Sequence, residues 1–548
     1  MANISPPLLS RREIEDLIAA GGKIFILDQF VIKANGWIPY HPGGDKSILH
    51  MVGRDATDEV TALHSAETKQ KMSRYRIGRI EGRWTNFIPP IQGGKFRSLV
   101  DNTEHNADDS VSSDDSRGAS LVFDSDRSGL RHRGGLQDGM SSSTSVTSAS
   151  SAEENDGMAH LNTLTREKIS LDLEKYPPVD HETQDAIVAK YRLLHDRIKA
   201  EGLYDCSYSA YAVEACRYSL IAACMYFTFH WGWYALSAVF LGALFHQLAF
   251  VVHDAGHIGI THNFHIDTLI GMFVADYLGG LSIGWWKRNH NVHHIVTNSP
   301  ENDPDVEYLP FLALSHRFFG SLRSTYYEHL MEYDAVARFA VKFQHYAYYP
   351  LMLFGRFNLY RLAWLYLLGG QAPRKGPAWW HWYLEITGQF VFWYWYGYLV
   401  IYRSIPTNWD RFAFFMVSHM IAAPLHVQLT LSHFAMSMAD LGPTESFPQK
   451  MIRTTMDIDC PQWLDFFHGG LQFQVVHHLY PRIPRHNLRR TQKLVQEFCT
   501  DVGIPYALYG FVDGNRQVVG ALAEVSRQAA ILAKCQQAMT SGSFGHAQ

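Results

Sequence analysis

Apolar positions are spread unevenly along the chain, and the unevenness sets its organisation. Residues 8–85 mix short apolar clusters with polar turns, which predicts a compact soluble α+β domain of helices and short strands. Between about 95 and 162 the pattern nearly vanishes, in stretches such as DNTEHNADDSVSSDDSRGAS and GMSSSTSVTSASSAEENDG. Such Ser-, Asp- and Gly-rich sequence cannot bury enough apolar surface to offset ordering, so a disordered linker is expected. About 60 residues of this kind span roughly 45 Å r.m.s.. A polar stretch from 165 to 203 reads as helical. The apolar half follows, with runs at 215–229, 233–252, 382–402 and 412–431. Each approaches the ~20 residues that cross a bilayer. Trp and Tyr at their ends resemble an interfacial belt. The expected fold of residues 200–500 is therefore an all-α membrane domain with about four transmembrane helices. Runs 266–286 and 346–368 are interrupted by Asp, Arg and Gly and read as interfacial or re-entrant. Residues 503–540 carry an amphipathic pattern, expected as a surface-packed helical tail.

Composition narrows this picture. Of 548 residues, 47% are hydrophobic, 14% aromatic and only 18% charged, against about 25% charged in a typical soluble protein. This excludes a fully disordered chain and argues against an ordinary cytosolic enzyme. A mean hydropathy of −0.14 requires polar regions beside the membrane segments. The net charge of −5 gives no footprint for nucleic-acid binding. Cysteines 206, 216, 224, 460, 499 and 535 show no CxxC or regular spacing and read as reduced thiols. The segment MANISPPLLSRREIEDL has no basic stretch followed by an apolar core, so no cleavable signal is expected. Histidine stands out, with 29 copies, many of them clustered.

A first cluster lies in the N-terminal domain. His41-Pro-Gly-Gly44 precedes Asp45, and His64 closes GRDATDEVTALHS. Pro42 and the glycines favour a tight turn that lets a flat ligand approach the backbone. Two imidazoles on opposite walls of an apolar cleft can hold haem iron from both faces. Ile48, Leu49, Val52, Val60 and Leu63 could line that cleft. The absence of CxxCH makes any haem non-covalent, b-type. On their own, the same residues also fit a surface turn and a surface histidine. Residues 8–80, with the HPGG turn, the GRDAT segment and the second His, resemble cytochrome b5. The resemblance implies that His41 and His64 are the axial ligands and that His50 is a bystander.

Three further boxes lie in the apolar half: His253-Asp-Ala-Gly-His257, His290-Asn-Val-His293-His294 and Gln474-Val-Val-His477-His478. On a helix, positions i and i+4 share a face, so His253 and His257 can point at one site, and so can the His290 group. Neutral imidazole is a good iron ligand that brings no negative charge into a low-dielectric site. Seven histidines exceed one iron's need, and two irons would use them. A zinc site takes three or four ligands and would leave half of them without a role.

The order and spacing of the boxes resemble the membrane fatty-acid desaturase and hydroxylase superfamily. Gln474 opening the third box, together with the haem-type domain, points to the cytochrome b5-fused desaturases, closest to sphingolipid (ceramide) Δ8 desaturases. Residues 463–482, WLDFFHGGLQFQVVHHLYPR, are close to the family's third-box pattern, although Val476 stands where an acidic residue is common. The resemblance implies that His253, His257, His290, His293, His294, His477 and His478 ligate two non-haem irons, and that Gln474 is a catalytic-site residue. His433, in LTLSHF, is the favoured eighth ligand because it closes an apolar run, and His468 is a weaker candidate. His246, His262 and His265 fall outside the pattern.

Topology agrees. Two runs precede His253 and two precede Gln474, so an even number of crossings places all three boxes and the haem domain on one side. Lys287, Arg288, Arg482, Arg485, Arg489 and Arg490 flank the boxes and mark that side as cytosolic. The resemblance further implies an endoplasmic-reticulum membrane enzyme that consumes O2. It would desaturate position 8 of the sphingoid long-chain base of ceramides, with electrons from an NADH-cytochrome b5 reductase. A front-end fatty-acyl desaturase, a fused fatty-acid hydroxylase and a non-catalytic membrane haem electron-transfer protein are the alternatives.

Overall fold

The computed structural model describes residues 6–87, 147–176 and 180–540. Most of the expected linker lies outside the described residues. Its last part does not: from Thr147 it begins helix α5 (Thr147–Lys175), where Ala, Glu and Met replace the Gly-rich sequence.

The N-terminal domain has strands β1 (Leu8–Leu9), β2 (Ile24–Leu27), β3 (Phe30–Lys33) and β4 (Arg76–Ile80), in the order β1-β4-β3-β2. Helices α1 (Arg11–Ala19), α2 (Lys46–Leu49), α3 (Thr57–Leu63) and α4 (Ala66–Met72) complete it. β2 and β3 form a hairpin whose turn residues, Asp28 and Gln29, both have positive φ, as the right-handed strand twist favours. All four residues of β2 are buried because each face of the sheet is covered. Ile24 and Ile26 join Ile14, Ile18 and Val52 on one side, while Phe25 and Leu27 join Ile48, Met51 and Val60 on the other. The second cluster continues into Val292, Ile295, Val296 and Tyr326, so this domain packs against the helical one.

The helical domain begins with α6 (His181–Ala200), α7 (Tyr208–His230) and α8 (Tyr234–Gly256). α7 and α8 form the expected hairpin, turning at Gly232 with φ +79°. α9 (Phe264–Met272) runs into a π-helical turn to Leu278, and α10 (Ile283–Val296) follows after a 117° bend. The break at Gly279-Gly280 explains the interruption in that apolar run. A Cβ on Gly280 would meet the Phe392 ring at 2.3 Å. Next come α11 (Ala335–Lys342), α12 (Gln344–Leu353), α13 (Gly355–Leu368) and α14 (His381–Phe392), the last extended by π-helical turns to Ser404. α15 (Asn408–Met420) and α16 (Ala423–Leu431) make a nearly continuous rod.

All four expected apolar runs are helical. Among the described residues, two helices, Tyr234–Gly256 and Asn408–Leu431, are both long and apolar enough to cross a membrane, or three spans if the bent α9–α10 pair counts as one. The other two carry more polar residues: Glu214 and Arg217 in α7, His381, Glu385 and Gln389 in α14.

The described residues continue with α17 (Phe447–Thr454), β5 (Asp457–Asp459), α18 (Asp465–His468), α19 (Gln474–Leu479), α20 (Arg485–Val502), β6 (Leu508–Gly510) and α21 (Phe511–Thr540). β5 and β6 pair in parallel and bring α21 alongside α12. Val518, Leu522, Val525 and Ala529 then join a core cluster with Tyr348, Leu431 and Phe434, so the tail completes the fold rather than decorating it. The five described cysteines are free thiols.

Candidate haem and metal centres

In the N-terminal domain a short 3₁₀ turn, Ile38–Tyr40, delivers His41, and the C-terminus of α3 delivers His64. His41 Nδ1 is 2.7 Å from the Gly44 carbonyl and His64 Nδ1 is 3.2 Å from the Val60 carbonyl. Nδ1–H therefore donates in each ring, leaving the Nε2 lone pairs free to ligate. The ring centroids are 6.0 Å apart and inclined by 36°. That gap accommodates one iron at roughly 2 Å from each nitrogen, so the pair fits the axial clamp of a haem. Burial lowers both histidines, His64 to about 3 with His41 adding to the effect, which favours the neutral, ligating form. His50 is elsewhere: its Nδ1 bonds the Lys46 carbonyl and its Nε2 meets Thr325 Oγ1 of the helical domain at 3.0 Å.

The box histidines come from four places. α8 ends at His253 and His257, α10 carries His290, His293 and His294, α19 carries His477 and His478, and His433 follows the end of α16. They gather in two adjoining groups. In one, ligand atoms of His253, His257, His290 and His477 all lie within 4.8 Å of one another; in the other, those of His293, His433 and His478 do. His294 stands between, its ring 4.3 Å from His478 and 4.8 Å from both His257 and His477. Nε2 of His253, His257, His477 and His478 and Nδ1 of His294 and His433 are buried without a hydrogen-bond partner. Orphaned buried nitrogens are costly, and a metal ion is what such a neutral donor set suits. Burial holds His433, His477 and His478 well below the ordinary value.

Close packing makes this convergence possible. A Cβ on Gly256 would meet the Trp286 ring at 2.0 Å, so glycine lets α8 and α10 touch beside His257. Trp286 in turn stacks on His290 at 4.4 Å. Two carboxylates escaped sequence reasoning. Asp303 lies 2.9 Å from His293 Nδ1, and Asp305 lies 3.8 Å from Nδ1 of both His290 and His293. The acidic segment ENDPDVE shortly after the second box was their only signal.

Gln474 is buried on the first residue of α19, one turn before His477 and His478. Val476 is fully buried, which explains an apolar residue there. His468 sits apart from both groups, against Phe467 and Phe511. His246 stacks on Phe467, His265 on Trp380, and His262 bonds the Tyr204 carbonyl. Of the flanking cations, Arg288, Arg485 and Arg489 are bound to Asp45, Glu214 and Asp254, and Asp465.

Residues 229–510 match the fatty acid desaturase family, and residues 10–81 match the cytochrome b5-like heme/steroid binding domain. The chain is 60% identical over 532 residues to a Delta 8-(E)-sphingolipid desaturase of Emericella nidulans, covering 97% of this chain and 96% of that protein. It is 46% identical to one of Kluyveromyces lactis, covering 97% and 95%. It is also 39% identical, over 54% of its length and 65% of the relative's, to an acyl-lipid (9-3)-desaturase of Borago officinalis.

Proposed function

From the premise that the chain belongs to the fatty acid desaturase family, carrying a cytochrome b5-like domain, we propose that it places a double bond at position 8 of the sphingoid base of ceramides. The family makes it an oxidoreductase of the membrane-desaturase type, which sets aside a purely electron-carrying role. Near-full-length identity of 60% to a sphingolipid enzyme, against a partial match to the acyl-lipid one, favours the sphingoid base over a fatty-acyl substrate. The single observation that carries the chemistry is the pair of adjoining, buried histidine groups, supplied by segments more than 200 residues apart.

In this reading His253, His257, His290 and His477 hold one iron, His293, His433 and His478 hold a second, and His294 serves either from between them. An unactivated methylene C–H bond is beyond side-chain acid–base chemistry, and the bound irons supply the oxidising power for O2-dependent removal of two hydrogens. Overall, a CH2–CH2 unit, O2, two electrons and two protons yield CH=CH and two waters. The residues do the rest. The Asp303 carboxylate accepts from His293 Nδ1–H and fixes its tautomer. Trp286, stacked on His290 at 4.4 Å, braces that imidazole ring. Gln474 offers an amide beside the third box.

An open apolar groove of about 1040 Å³ between α12, α16 and α21, lined by Met352, Val427 and Val519 among others, suits contact with lipid chains, and none of the box histidines lines it. His41 and His64 would hold a haem between their Nε2 atoms, and such a group would supply electrons one at a time. An NADH-cytochrome b5 reductase is the proposed donor, and the endoplasmic-reticulum membrane, with both centres on its cytosolic face, the proposed setting. Lys287 and Arg482 remain as basic groups beside the boxes, while Arg490 lies 4.0 Å from a Glu201 carboxylate oxygen.

Expression in a yeast lacking Δ8 activity tests the reading. New unsaturation in long-chain bases is expected. New unsaturation confined to fatty-acyl chains overturns the substrate, and purified active protein without non-haem iron overturns the chemistry.

A further inference from the structure

Helix α10 has two working faces. With 3.6 residues per turn, positions 288, 291, 292 and 295 fall on one side and 290, 293 and 294 on the other. The second side carries the box histidines. The first side is covered by the turn that bears His41. Arg288 Nε and Nη2 donate to Asp45 Oδ1 at 3.1 and 2.8 Å. Asn291 Nδ2 donates to the Gly43 carbonyl at 3.3 Å. Val292 and Ile295 enter the same apolar cluster as Ile48 and Met51.

The two glycines of the turn are part of this contact. A Cβ on Gly43 would stand 2.6 Å from Asn291 Nδ2, and one on Gly44 would stand 2.5 Å from Arg288 Cγ. Gly44 also has φ +87°, a conformation that glycine adopts without strain. The glycines thus shape the turn and also let it lie directly on α10. Further ties join the same domain to other parts of the helical one: Lys46 pairs with Glu328, His50 meets Thr325, and Arg192 Nε of α6 bonds Asp58 at 2.9 Å.

We propose that α10 is a built-in electron bridge, on which the haem domain works docked rather than swinging free, and that Arg288 and Asn291 are positioning residues for transfer from the His41 side to the histidine groups. This rests on the reading of the two centres given above. The two faces are one helix apart, about 10–12 Å with side chains. Each crossing moves one electron: the haem iron passes from ferrous to ferric and the iron pair gains that electron. The haem is then re-reduced by a pyridine-nucleotide-dependent reductase, and two crossings match one double bond.

The test uses full-length, haem- and iron-loaded protein with Asp45→Arg, with Arg288→Asp, and with both. Haem is reduced chemically without air, and its reoxidation on adding O2 and substrate is followed by absorption. Each single variant is expected to slow reoxidation at least tenfold, with the haem spectrum, iron content and reduction by the reductase unchanged. The charge swap is expected to recover most of the rate. Where a variant at position 45 fails to load haem, Asn291→Ala, on the helical side, gives the same reading with a smaller loss. Unaltered reoxidation in the single variants overturns the bridge. Absence of substrate-dependent reoxidation in the unmodified protein instead overturns the proposed function, so the two failures are distinguishable.

Discussion

His293 Nδ1 lies 2.9 Å from a carboxylate oxygen of Asp303, and both side chains are buried. The carboxylate also accepts from the backbone N–H groups of Asn298 and Asp305, which fixes it in place. A ligating imidazole oriented in this way has its Nε2 committed to the metal. Asp303→Ala is therefore expected to weaken iron binding about 10- to 100-fold, with the haem spectrum intact. Asp303→Asn, which still accepts through its amide oxygen, is expected to lose less. Metal analysis of purified protein at graded iron concentrations checks both.

The two centres are separate in their ligands, so they are separable by substitution. His290→Ala removes a nitrogen from the first histidine group but touches nothing in the haem clamp. Product is expected to fall below detection while the b-type spectrum remains. His41→Ala leaves one axial nitrogen and is expected to abolish that spectrum while non-haem iron stays bound. A surviving six-coordinate haem spectrum in the second variant contradicts the axial assignment.

These contrasts show what the sequence carried. His41 and His64, on different elements, were legible only through the HPGG turn and the resemblance to cytochrome b5. The histidines within each box were legible as neighbours because each box sits on about one helix turn. His433 was legible more weakly, through its place at the end of an apolar run. Asp303 and Asp305 were not, since their contact with His293 and His290 depends on the chain folding back after α10. The haem domain's seat on α10 was equally hidden: Gly43 and Gly44 read as turn residues, and nothing local shows that a second helix lies against them. The four apolar runs gave four helices, but hydropathy could not show that polar residues of α14 are buried against neighbours, as Glu385 and Gln389 are.

Gly256 permits the contact of α8 with α10 that sets His257 beside His290. Gly256→Ala drives a methyl group into the Trp286 ring. Overpacking of this kind costs about 1–3 kcal/mol, and here it separates the first two boxes. Reduced iron content and a lower thermal midpoint are expected, with haem content unchanged. Normal iron content in this variant would show that Trp286 can move aside freely.

The haem domain has an acidic cluster with a pH signature. Burial raises the Glu59 carboxyl from an ordinary 4.5 to about 7; Arg54 opposes this, and Asp58 and Asp55 add to it. Asp58, paired with Arg192, and Asp55 are themselves raised by burial. The folded state thus binds more protons than the unfolded chain. The stability from Glu59 is fully present below about pH 4.5 and is lost as pH rises through about 7. Thermal release of haem, followed at the Soret band, is expected at lower temperature at pH 8 than at pH 5.5. Glu59→Gln is expected to flatten that dependence in part, with Asp55 and Asp58 supplying the remainder.

Arg485 joins α20 to α7 and α8. It pairs with Asp254 of α8 and Glu214 of α7, donates to the Phe250 carbonyl at 2.9 Å, and lies over the Tyr211 ring at 4.8 Å. Asp254 is the neighbour of His253, so this cluster helps set the direction of the first box. Removing one partner of a buried ion pair leaves an uncompensated charge, at a cost of about 3–5 kcal/mol. Arg485→Leu is expected to lower the thermal midpoint of the solubilised protein and to reduce its iron content. Asp254→Asn alone is expected to destabilise as well, because it weakens the pairing with Arg485. In the Arg485→Leu background the same change removes the stranded carboxylate, so its effect should reverse sign and restore part of the loss. Direct contact between the two groups requires such coupling. Losses that simply add in the double variant would mean that Asp254 is neutral in the folded protein and that Glu214 alone balances Arg485.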